Sequence, residues 1–250
     1  MNKNKVYIYL CIIIIILTIF FISCYIKDNK LLNVFTPITG RKVVIDAGHG
    51  KPDEGAIGYL NTTEQKLNLE ISQKLQNIIE QTGGISIITR STEEGIYSKE
   101  NKTIKSKKVS DIKNRVKIIN GDTDILVSIH LNKFNDSRYK GWQVFYKNNC
   151  EKSKLLANKI QDSLNKNISE ENKRVPKPIT GIYIMNKSKI PSVIVECGFI
   201  SNPDETQKLK DYNYQNKIAW GIYFGIQDYF REEKNEWTRK IYERSIKISC

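Results

Sequence analysis

The stretch "VVIDAGHGKPDEGAIG", residues 43–58, joins an apolar run to a turn-rich loop that carries His49, one of only two histidines in 250 residues. "KVVID" (42–46) is short, apolar and rich in β-branched residues, as expected for a buried strand. Gly48, Gly50, Gly55 and Gly58 punctuate the loop that follows. Beyond it, Leu67, Ile71, Leu75 and Ile78/Ile79 recur at helical spacing from Glu64 until Gly83-Gly84 stops the pattern. The unit is therefore strand, loop, helix, with an imidazole where the strand ends.

The same alternation continues outward. "ISIIT" (85–89), "DILVSIH" (124–130), "WQVFY" (142–146) and "PSVIVECGFI" (191–200) read as further strands. "DIKNRVKIIN" (111–120), with Asp111 available as its cap, "KSKLLANKIQDSLNKNI" (152–168) and "YQNKIAWGIYFGIQDYF" (214–230) read as helices. Strands alternating with helices predict an α/β layered domain, whose strand ends are where sites collect. Residues 91–110, "STEEGIYSKENKTIKSKKVS", hold almost nothing apolar and read as a disordered or functional loop. The tail, 231–250, mixes charge with Trp237 and Ile241, and is expected to extend the last helix or to offer a partner-binding face.

Residues 6–26, "VYIYLCIIIIILTIFFISCYI", carry no charge over 21 positions. As a helix they would span roughly 30 Å, enough for a hydrocarbon core. Lys3 and Lys5 precede them, so the expected arrangement is a signal peptide or anchor over 1–27, a linker over 28–40, and an exported remainder. The formal net charge of +13 favours anionic partners such as nucleic acid, membrane or acidic wall polymers. Export removes nucleic acid from that set, and no stacking motif supports it. Five cysteines without a CxxC give neither a disulfide ladder nor a zinc ribbon, and Cys197 reads as a small buried hydrophobe.

His49, His130 and Glu196 all fall at or near predicted strand ends, and Glu64 opens a helix. Two imidazoles and a carboxylate on separate elements can hold a zinc ion with one position left open, the arrangement of a catalytic site. A second carboxylate beside such a site can carry a proton from water to a leaving amine. Glu196, in the apolar run "VIVECGF", suits that task, because an ionisable group there needs a cavity or a partner. Each residue also has a plainer reading: structural histidines, a first-turn glutamate at a helix N-terminus, a buried ion-pair member. HExxH, the short helical zinc signature, is absent.

The blocks "VVIDAGHGKPDEGAIG", "TEQKLNLEIS", "TR", "RVKIIN", "DILVSIHLN" and "PSVIVECGFISNPDE", in this order, resemble the zinc-dependent N-acetylmuramoyl-L-alanine amidase family (type 3) over residues 41–230. The resemblance implies a single α/β domain with a central twisted mixed sheet flanked by helices. It also implies one zinc ion held by His49, Glu64 and His130, with Glu196 as the catalytic acid. "GHGKPDEGA" and the short architecture look most like the spore-cortex, germination-specific amidases, which take the stem peptide off muramic acid as the first step towards muramic δ-lactam. On that basis the expected substrate is peptidoglycan, outside the cytoplasmic membrane, in the forespore intermembrane space or cortex. An accessory protein that assists zinc binding or localisation is the further expected partner. Asn132, Arg90 and Arg115 are candidate substrate contacts, with capping and salt-bridge roles as the alternatives. Glu93 or Glu94 stands where the family carries an aspartate after "TR". A vegetative wall amidase, a zinc peptidase and a non-catalytic wall-binding protein remain the competing functions.

Overall fold

The computed structural model describes residues 7, 9, 11–20, 36–168 and 171–248. In the amino-terminal unit, residues 11–20 are helical. Among the described residues no helix is long and apolar enough to cross a membrane, and much of the expected 1–27 segment and most of the 28–40 linker lie outside the described residues.

Among the described residues from Thr36 onward the chain builds six strands and six α-helices, besides a 3-10 turn at Tyr59–Asn61. The strands are β1 (Lys42–Ala47), β2 (Ile85–Ile88), β3 (Ile125–Asn132), β4 (Gln143–Lys147), β5 (Lys177–Ile179) and β6 (Ser192–Phe199). The helices are α1 (Glu64–Gln81), α2 (Ile104–Ile119), α3 (Glu151–Asn167), α4 (Tyr183–Lys187), α5 (Pro203–Lys210) and α6 (Tyr212–Ile248). The strand order is β2-β1-β3-β6-β4-β5. All neighbours run parallel except β4 and β6, which are antiparallel, so the sheet is mixed as expected.

The two faces of the sheet explain the near-continuous apolar strands. Odd-numbered β1 residues Val43 and Ile45, with Ile125, Val127, Ile129, Val193 and Val195, share one large core with α1, α3 and α6. Val44, Leu126 and Ile194 point the other way and pack with Ile119 of α2 and Met185 of α4. A strand buried on both sides cannot alternate apolar with polar, which is why these read as runs. On the second face the apolar pattern stops towards the strand ends, where Asp46, Ser128, His130 and Glu196 continue the same alternation.

Two readings of the sequence need correcting. Residues 91–110 are not a loop throughout: α2 begins at Ile104, capped by a reciprocal Thr103–Ser106 box. Only Arg115 and Ile119 of α2 are fully buried, and its first two turns carry Lys105, Ser106, Lys107, Lys108 and Ser110, so no apolar period marks where the helix starts. Asp111 is accordingly not a cap; it lies mid-helix, accepts from Ile96 N at 2.6 Å and pairs with Arg115 at 2.6 Å. Strand β5 also went unread, being three residues long with Pro178 at its centre.

Candidate active site

His49 follows β1 in a left-handed conformation, φ 62°, which is uncommon for a residue with a side chain. Its neighbours hold it there. The His49 carbonyl accepts from Arg90 Nε at 2.7 Å and from Arg115 Nη2. Arg90 also donates to the carbonyls of Ala47, Gly48, Gln65 and Thr92, and Arg115 to that of Ala47. Both guanidiniums are buried, 3% and 2% exposed, with their donors directed into the protein. These bonds are the structural alternative to substrate contact at Arg90 and Arg115: the two side chains shape the loop that presents His49. Burial draws the Arg90 guanidinium down to about 10, helped by its neighbour Arg115. For Asp46, burial works against ionisation, but Arg115 and Ser128 outweigh it and hold the carboxyl at about 2.

Glu64 is the first residue of α1, at the carboxyl edge of the sheet. Its carboxylate meets both imidazoles, Oε2 to His49 Nε2 at 3.2 Å and Oε1 to His130 Nδ1 at 3.0 Å. Backbone N–H groups fix it further, Ala56 to Oε2 at 2.8 Å and Leu131 to Oε1 at 3.1 Å, with Asn68 Nδ2 alongside. Burial alone would raise this carboxyl, yet its hydrogen bonds to His130 and His49 lower it well below the ordinary range. One ligand-type atom from each of His49, Glu64 and His130 lies within 4.8 Å of the others, so the structure brings together the three residues the sequence singled out.

Asp53 is the member of this cluster that sequence reading missed. Its Oδ2 lies 3.1 Å from His49 Nδ1, and its Oδ1 pairs with Lys108 at 2.8 Å. The i,i+4 spacing of His49 and Asp53 within "HGKPD" was the available signal. Burial disfavours a charged His49, but the Asp53 and Glu64 carboxylates dominate and lift the imidazole to about 9. The surroundings of His49 thus favour positive charge.

Glu196 pairs in register with His130 across β3 and β6, so the two side chains leave the same face of the sheet. Both line a cavity of about 370 Å³ with His49 and Asp53. The Oε2 of Glu196 is enclosed and has no hydrogen-bond partner. Burial raises its carboxyl to about 7, with the Glu64 charge adding to the effect and His130 opposing it. Asn132, at the end of β3, directs its side-chain oxygen to Lys133 N at 2.9 Å and its carbonyl to Ile200 N at 2.8 Å. The first, a local side-chain bond, is the capping alternative; the second continues the pairing of β3 with the end of β6.

The sequence profile of the N-acetylmuramoyl-L-alanine amidase family matches residues 43–228. The chain belongs to that family. As a member it is an N-acetylmuramoyl-L-alanine amidase, and its sequence is similar to two curated relatives from Bacillus subtilis (strain 168). The germination-specific N-acetylmuramoyl-L-alanine amidase is 35% identical over 79% of this chain and 83% of its own length. The amidase LytC is 31% identical over 81% of this chain and 38% of its own length. Among solved structures, the CwlD amidase from Clostridioides difficile, in complex with the GerS lipoprotein, aligns with a TM-score of 0.75 and 42% identity. That alignment covers 77% of this chain and 99% of the other.

Close approach governs the amidase's glycine-rich loop. A Cβ on Gly48 would stand 2.3 Å from the His130 ring, and one on Gly55, which has φ +68°, 2.6 Å from Glu64 Oε2. Gly48→Ala is therefore expected to displace the His130 ring, and to weaken any metal binding at the His49, Glu64 and His130 cluster about tenfold or more. Equilibrium dialysis against zinc checks this, and unchanged affinity would show that the ring moves aside freely.

Proposed function

We propose that this amidase is a zinc-dependent peptidoglycan hydrolase that cuts the amide between the lactyl group of N-acetylmuramic acid and the L-alanine of the stem peptide. The observation that carries the reading is the convergence of His49, Glu64 and His130 beside a fourth, unpartnered carboxyl, Glu196. Two imidazoles and one carboxylate suit zinc with an open position. The local fit is favourable: His49 lies in acidic surroundings, and bare glycine backbone at Gly48 and Gly55 leaves room for the rings and the carboxylate. His49, Glu64 and His130 would hold the ion. Zinc, when bound, would lower the pKa of water and polarise the scissile carbonyl.

The remaining chemistry falls to the chain's own side chains. Glu196 takes a proton from water as the water oxygen bonds to the lactyl carbonyl carbon. It then gives that proton to the alanine nitrogen as the carbon–nitrogen bond breaks. The products are a muramic acid with a free lactyl carboxylate and an intact peptide with a free amine. A carboxyl poised near 7 serves both as acceptor and as donor. Asp53, bonded to His49 Nδ1, fixes the orientation of that ring and leaves Nε2 for the ion.

Spore cortex is the proposed setting, with this cut as the first step towards muramic δ-lactam. The likeness to a germination-specific amidase and to a CwlD amidase supports it. The latter's complex with a lipoprotein favours an accessory protein here as well. Residues 41–230 are proposed as the catalytic domain and 231–250 as a charged tail. Residues 6–26 are proposed to tether the enzyme outside the cytoplasmic membrane, an inference from their 21 uncharged positions.

The test is mass spectrometry of cortex peptidoglycan digested with the zinc-loaded full chain, with and without candidate lipoprotein partners. Release of intact stem peptides is expected. Shortened stems would indicate a peptidase, and unchanged peptidoglycan a wall-binding protein; either overturns the reading.

A further inference from the structure

The cavity that contains Glu196 has two kinds of lining. Ile179, Ile182, Ile184 and Ile194 supply apolar surface, and α2 contributes the lysines at 107 and 108. Two of the lining cations are committed: Arg115 to Asp46 and Asp111, and Lys108 to Asp53. Lys107 differs. Its ammonium sits 4.7 Å from the centre of the Tyr97 ring, and among the described residues it makes no ion pair with a carboxylate. An ammonium held over an aromatic face is oriented and partly desolvated without being neutralised.

The substrate supplies what this lysine lacks. Where the residue after the alanine is acidic with its carboxyl unblocked, a free carboxylate lies one residue beyond the scissile amide. Alanine and lactyl methyl groups suit the isoleucine surface, while a carboxylate suits Lys107. Resting on the amidase reading above, we propose that Lys107, seated on Tyr97, selects stem peptides whose second residue keeps its carboxylate free over those in which it is amidated. Lys107 is a specificity-determining residue in this scheme and takes no part in bond making.

Two synthetic muramoyl peptides that differ only in a carboxylate or a carboxamide at the second residue test this with the zinc-loaded full chain. The wild type is expected to show a KM about three- to fivefold lower for the carboxylate, as for a partly exposed ion pair. That gap should shrink at ~0.5 M salt as screening shortens the reach of the charge. Lys107→Met should erase the gap and Lys107→Arg should keep it. Equal KM values in the wild type, or a gap that survives in Lys107→Met, overturn the proposal. Failure of the wild type to cleave either peptide overturns the amidase reading beneath it as well.

Discussion

Glu196→Gln is expected to retain bound zinc and to lose about 10²–10⁴-fold in amide cleavage, the range for removal of a positioned acid–base. The amide keeps the shape of the side chain but can neither accept the proton of water nor return it to the leaving nitrogen. The substitution has a second consequence, in the metal-free protein. The Glu196 carboxyl is raised from 4.5 to about 7, so between those values the folded chain binds more protons than the unfolded chain. Stability therefore falls as pH rises through that window, and the full penalty applies above 7. Glutamine removes it. At pH 8, with zinc chelated, Glu196→Gln is expected to be more stable than wild type by about 1–3 kcal/mol, after the desolvation of the new amide. At pH 4.5 the gain should vanish. Urea unfolding at the two pH values reads this directly, and equal stability at both would mean that Glu196 is not strained by its surroundings.

Arg115→Met is the largest expected loss of stability. Arg115 pairs with Asp46 at 2.6 Å, and both side chains are almost wholly enclosed. Removing one member of a buried pair leaves an uncompensated charge and typically costs about 3–5 kcal/mol. That is a large part of the roughly 5–15 kcal/mol that holds a domain together. The same change frees the His49 carbonyl from one of its two guanidinium donors, so the left-handed backbone there loses support. Denaturant unfolding of the full chain should show the fall in midpoint, and zinc affinity should fall with it. An unfolding free energy within about 0.5 kcal/mol of wild type would mean that Asp46 finds another partner. In the wild type, the depressed Asp46 carboxyl contributes stability above its ordinary pKa, and that contribution is lost as pH falls towards about 2.

What could be read from the sequence follows from which physical signals are local. β1, β3 and β6 were legible because burial on both faces forces continuous runs such as "ILVSI" and "SVIVECGF". His49 and His130 stood out by rarity, and Glu196 by lying in an apolar run. The register that sets His130 against Glu196 is a property of the whole sheet and has no local mark. The early start of α2 was hidden because its exposed lysines carry no apolar period; only the Thr103–Ser106 cap marked it. Arg90 and Arg115 were ambiguous for a different reason. An arginine that reaches substrate and one that clamps backbone carbonyls look alike in sequence, and only the fold shows where the donors go.

Zinc stoichiometry of the full-length chain, measured by elemental analysis for wild type and Glu64→Gln side by side, bears most directly on the shared site. The Glu64 carboxylate meets both imidazoles, so it is needed to complete the cluster. One zinc per wild-type chain, and a loss of most of it together with amidase activity in Glu64→Gln, is the expected result. A wild-type chain that cleaves peptidoglycan without zinc, or a Glu64→Gln chain that keeps a full equivalent of the metal and full activity, would contradict it.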